Sequence, residues 1–176
     1  MPFELGGFHW GNDVTFSQVP GDLKLEMDAC FSKTSKILRE DIIEQALMGK
    51  CSYKAREIML FGLGQGGMAA LGAISSMPCE LAGVISIGGP FPSSATSTAR
   101  SSPTPVLLLG GSSNTALTAQ TIHDTKEIFK EMRYHRWNRS GDGMPRSREE
   151  MLPLMQFLAR RMRSQQGVPE GSVEVS

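Results

Sequence analysis

The chain has 176 residues, of which 40% are hydrophobic and 20% charged, enough for one domain with a real core and unlike a disordered chain. Its 18 Lys and Arg balance 18 Asp and Glu, so no global charge argues for nucleic acid or an anionic membrane surface. The three cysteines, Cys30, Cys51 and Cys79, are odd in number and widely spaced without a CxxC pair, which argues against a zinc site or a disulfide scaffold.

No apolar run approaches the ~20 residues that span a bilayer, and MPFELGGFHWGNDV lacks the basic and apolar regions of a secretory signal. With reduced thiols, a cytoplasmic location is expected. Residues 1–22, rich in Gly, Pro and aromatics, read as irregular. From Lys24 to Met48 the pattern turns helical: Met27, Phe31, Leu38, Ile42 and Ala46 recur at spacings of four and seven. Next comes Glu57-Ile-Met-Leu-Phe61, an apolar strand running into Gly62-Leu-Gly-Gln-Gly-Gly67, with a helix predicted over Met68–Ser76 before Pro78.

A second buried strand, Ala82–Ile87, ends in Gly88-Gly-Pro90. Residues 93–104, SSATSTARSSPT, hold little that can pack and are expected as a mobile loop. Pro105–Leu109 is a third strand, Leu117–Glu131 a helix and Met132–Trp137 a fourth strand. Ser147-Arg-Glu-Glu150 has capping-box spacing, and Met151, Met155, Leu158 and Met162 then share one apolar face. Pro153 predicts a later start or a kink in that helix. The domain is expected to span residues 1–165, with 166–176 as a flexible tail. Strands that are continuous apolar runs, alternating with helices, indicate about four parallel strands, side by side in chain order or nearly so, with helices on both faces.

The glycine turn fits two mechanisms. As G-x-G-x-x-G (Gly62, Gly64, Gly67) between strand and helix it matches a dinucleotide fingerprint, which needs an acid near the end of the next strand for the ribose. That strand ends Ser86-Ile-Gly-Gly-Pro90, and Glu80 precedes it. As Gly62-Leu-Gly64-Gln-Gly66 it is a G-x-S-x-G nucleophile elbow whose serine is replaced by glycine. Glycine satisfies the strained backbone of such a bend but cannot attack a carbonyl.

FGLGQGGMAALGA, LAGVISIGG and TPVLLLGG together resemble the central part of the acyl-protein thioesterase and carboxylesterase family, over residues 57–162 and more faintly back to residue 8. GFHWG and GDGMPRSREEMLP resemble a fungal group of its relatives. The resemblance implies the C-terminal portion of an α/β-hydrolase fold. It lays the family's acid, in an HG-x-x-D context, on Asn114, and its histidine, in a G-x-x-H context, on Met144. The order 64, 114, 144 follows the family, yet glycine, asparagine and methionine cannot do triad chemistry.

A catalytically inactive homologue that binds an acyl or ester ligand or a protein partner is therefore the leading expectation. An active ester or thioester hydrolase using non-standard residues, and a dinucleotide-binding module, remain as alternatives. Candidate oxyanion or ligand-binding residues are Gln65, which keeps its family position, His9 and Trp10 in the aromatic loop, and Asp142 in the histidine loop. His123 and His135 read as structural or surface residues. Neither a cofactor nor a metal is expected.

Family members open with a strand and an HG-type loop that supplies the other oxyanion donor, and nothing of that kind precedes Gly62. The elbow strand is thus expected at a sheet edge, covered by the first twenty residues or by a partner chain, unless Met1 marks a truncated gene model. Arg133, Arg136, Arg139, Arg146, Arg148, Arg160, Arg161 and Arg163 make the last third basic. The simplest reading is a solvated surface, the sharper one a docking patch for an acidic protein or a phosphate group.

Overall fold

The computed structural model describes Trp10 and residues 31–93, 101–113 and 115–161. The predicted irregular segment apart from Trp10, the start of the first helix, the loop 94–100 and the tail lie outside the described residues.

Four strands, β1 (Met59–Leu63), β2 (Gly83–Ile87), β3 (Val106–Gly110) and β4 (Met132–Arg136), form one parallel sheet in the order β1-β2-β3-β4. This is the order expected from short right-handed crossovers. The central strands are buried throughout, which explains their unbroken apolar runs, whereas β1 and β4 lie at the two edges of the sheet.

Alternation along each strand divides the core. Leu60, Val84 and Val106 face helix α2 (Gln65–Ser75) and the segment 38–50 that follows helix α1 (Phe31–Ile37), with Ile43, Leu71, Ile74 and Phe129 in the same cluster. Ile85, Ile87, Leu107 and Leu109 face the other way, onto Leu154 and Phe157 of α4 (Arg148–Arg161) and onto Trp137. Helix α3 (Ala119–Ile128) is capped by Thr118, whose Oγ1 accepts the Thr121 N–H at 3.2 Å. Helices thus cover both faces, as the alternation of elements implies.

Several local expectations need correction. Strand β1 starts two residues later than predicted and runs through Gly62 and Leu63, so the turn is shorter than the glycine run. Helix α2 begins at Gln65 because only one residue, Gly64, leaves regular geometry. The first helix continues from α1 into a π-helical segment, Leu38–Lys50. Its wider winding shifts the phase read from α-helical spacing, burying Ile43 and leaving Ile42 45% exposed.

Helix α4 starts at Arg148 and runs unbroken through Pro153 at the cost of one backbone bond, to the carbonyl of Glu149. Ser147 Oγ accepts the Glu150 N–H at 3.2 Å, and the Glu150 carboxylate takes the N–H of Arg146 at 2.7 Å. The box is therefore displaced by one residue on one arm. Its core face is Leu154 and Phe157, whereas Met151 and Met155 are exposed.

The polar run SSPT at residues 101–104, expected as part of a loop, is fixed. Ser102 and Thr104 are buried, with Ser102 N donating to the Ile128 carbonyl at 2.9 Å and Thr104 Oγ1 accepting from Leu81 N at 3.1 Å. Composition hid this because hydrogen bonds, not apolar packing, hold the segment.

Candidate active site at the elbow

Strand β1 hands over to α2 through Gly64, whose φ of 52° and ψ of −123° lie where a side chain is strained. Its N–H donates to the Ile87 carbonyl at 2.8 Å and its carbonyl accepts from Met68 at 3.1 Å, so both sides of the bend are pinned. A Cβ on Gly64 would meet nothing within 4 Å among the described residues. A Cβ on Gly62 would instead lie 2.4 Å from the Gly66 carbonyl carbon. The glycines of the turn thus have different duties: Gly62 admits the helix backbone, and Gly64 supplies the bend.

Gln65 opens α2, in the position from which a helix N-terminus serves an anion, and is half-buried. Trp10 lies beside it: its Nε1 is 3.7 Å from where a Gly66 Cβ would stand, and its carbonyl accepts the Thr34 hydroxyl. The structure therefore brings Trp10 to the elbow; His9 lies outside the described residues.

The loops after β3 and β4 are laced together. Ser112 N donates to the Arg139 carbonyl at 2.7 Å and Gly141 N to the Ser113 carbonyl at 2.7 Å. Asp142 enters between the strand ends, where a Cβ on Gly88 would come within 2.4 Å of the Asp142 Cβ. One Asp142 oxygen accepts the Gly111 N–H at 2.9 Å. Asp142 thus joins the histidine loop to the acid loop. Asn114 lies outside the described residues, and Met144 is half exposed.

Arg139 corrects the reading of the arginines as solvated surface. Its guanidinium lies 4.6 Å from the centre of the Trp137 ring, and its Nε stands 3.1 Å from Glu150 Oε1, an ion-pair contact misaligned for a hydrogen bond. Its Nη2 donates to the carbonyls of Gly143 at 2.8 Å and Met144 at 3.2 Å, so it sets the course of the loop. Sequence reasoning missed this clamp, because only the folded chain brings Trp137 and Glu150 to Arg139. Arg136 donates to the Ser112 carbonyl at 2.7 Å and so joins the same lacing.

Burial pushes the Tyr134 phenol above its ordinary pKa of 10.0, with Arg136 pulling it down and Asp142 pushing it up. His123 and His135 are exposed, in agreement with their reading as structural or surface residues. Cys51 is exposed and Cys79 half-buried, both as free thiols. No helix among the described residues is long and apolar enough to cross a membrane.

A search of curated protein sequences found no match. Among solved structures, the chain superposes on Arabidopsis thaliana SOBER1 with a TM-score of 0.55 at 21% identity, covering 74% of this chain and 64% of that one. It superposes on esterase PE8 at 0.58 with 18% identity, covering 80% and 67%, and on YahD with malic acid at 0.56 with 16% identity, covering 90% and 70%. The chain thus spans under two thirds of the SOBER1 chain, and these likenesses establish the fold. The model of the phospholipase/carboxylesterase family matches residues 2–161, nearly the whole length. With its elbow and sheet order, the chain belongs to the phospholipase/carboxylesterase family of α/β-hydrolases.

Proposed function

We propose that this chain is a family member without hydrolytic turnover, retained as a binding module for an acyl or ester ligand or for a protein partner. The observation that carries the reading is Gly64: the bend that would present a nucleophile is built, and no side chain stands on it. Asn114 and Met144, at the acid and histidine positions, extend the loss to the whole triad, and removing one triad member alone slows turnover by several orders of magnitude. The space above Gly64 that no described residue fills, beside Gln65 and Trp10, is the place for a small ligand. The free thiols suit a cytoplasmic setting.

For a protein partner the relevant feature is β1, which pairs with β2 along one side and has no strand on its other side among the described residues. Phe61 and Leu63, on the α4 face of that edge, are 49% and 47% exposed. An apolar strand edge of this kind is suited to pairing with another chain.

The competing reading is an ester or thioester hydrolase using substitute residues, favoured by Trp10 standing at the elbow and by Asp142 lying between the strand ends. It requires that His9→Ala or Asp142→Asn abolish a measurable turnover of short-chain thioesters. The inactive reading expects no turnover above background in the unaltered protein, and burst kinetics there would sink it. A dinucleotide module finds no acid in Ile87-Gly88-Gly89-Pro90, so NMR titration with NAD and FAD is expected to shift no amide of the Gly62–Gly67 turn in a saturable way.

A further inference from the structure

On the face of the sheet covered by α4, at the β4 edge, lies a groove of about 180 Å³. Register explains its composition. Arg133 pairs with Leu107 and His135 with Leu109, so both side chains fall on the face that in β2 and β3 is wholly apolar. Opposite them, Gln156, Phe157 and Arg160 recur at helical spacing on one side of α4. The result is an apolar floor, Leu107 and Phe157, beneath a rim of two guanidiniums, an imidazole and an amide.

Among the described residues no acid lines the groove. Among the described residues neither Arg133 nor Arg160 makes an ion pair, and Glu131, just before β4, is engaged by Arg161 at 2.9 Å. Two positive charges at one mouth repel each other, and chains commonly relieve this with a carboxylate. Among the described residues no carboxylate supplies that relief, which leaves the two guanidiniums available to an anionic ligand. A basic rim over an apolar floor fits an anion that is bidentate toward arginine and carries an apolar body.

We infer that this β4–α4 groove binds small organic phosphates, the phosphate at Arg133 and Arg160 and the apolar part on Leu107 and Phe157. The site is at the opposite edge of the sheet from Gly64, so it stands or falls independently of what the elbow does.

The test is an NMR titration of the full chain with phenyl phosphate, inorganic phosphate and neutral benzyl alcohol. Phenyl phosphate is expected to saturate with a Kd of about 1 mM or tighter, shifting amides of residues 133–135 and 156–160. Inorganic phosphate should bind the same residues more weakly, and benzyl alcohol should not saturate. Arg133→Gln with Arg160→Gln should weaken phenyl phosphate about tenfold or more, with the rest of the spectrum unchanged. Arg148→Gln, at the far end of the same helix, should leave the affinity unchanged. Shifts that stay linear, that centre on Gly64, or that weaken equally in the Arg148 variant would overturn the inference.

Discussion

The bend after β1 and the paired loops after β3 and β4 meet the same demand in opposite ways. At the bend, shape is carried by absent side chains: Gly62 lets the helix backbone approach, and Gly64 takes a φ of 52°. In the loops, shape is carried by side chains that are present: Asp142 on Gly111, and Arg139 on Trp137, Glu150 and two carbonyls. Neither device involves the nucleophile, acid or histidine of a hydrolase. The frame is therefore held by backbone geometry at the bend and by side-chain clamps in the loops, and neither needs a reactive group.

The contrast can be broken at its strongest point by Gly62→Ala. A methyl 2.4 Å from backbone cannot be accommodated by a rotamer change, so a loss of about 3 kcal/mol is expected in denaturant unfolding. An unchanged midpoint would mean that α2 does not approach β1 as described. Arg139→Ala, which leaves Glu150 partly buried and unpaired and frees two carbonyls, should cost about 2 kcal/mol. A neutral outcome would show that the loop is held by backbone bonds alone.

Gly64→Ala sharpens the comparison within one turn. Its methyl meets no described atom within 4 Å, so the positive-φ backbone is what resists it, at about 1–2 kcal/mol. Equal costs at Gly62 and Gly64 would erase the distinction between admitting a helix and forming a bend. The smallest effect concerns Tyr134. Its folded pKa is raised above the unfolded value near 10.0, so its contribution is complete below that value and is lost as pH rises through the folded pKa. Stability should decline in that alkaline window, and Tyr134→Phe should flatten the decline.

Much of the frame was legible in the sequence for a physical reason. Strands buried on both faces must be unbroken apolar runs, and a strand-to-helix elbow must be glycine-rich, so β1 to β4 and the bend at Gly64 could be read directly. Helix phase was harder. Winding changes at Leu38, which turns Ile43 inward in place of Ile42, and α4 turns Leu154 and Phe157 inward in place of Met151 and Met155. Periodicity assumes one winding and ranks methionine with leucine, and neither assumption holds there. Arg139 and the β4–α4 groove were hidden for another reason. Their character comes from neighbours distant in sequence, and a run of arginines looks alike whether it is solvated, clamped or lining a cleft.

Reactivity at the bend is decided by intact-protein mass spectrometry after exposure to a fluorophosphonate. An unmodified mass is expected, because Gly64 offers no hydroxyl and the described histidines, His123 and His135, lie on α3 and β4. A single stoichiometric adduct, lost when one serine or cysteine is replaced, would contradict it.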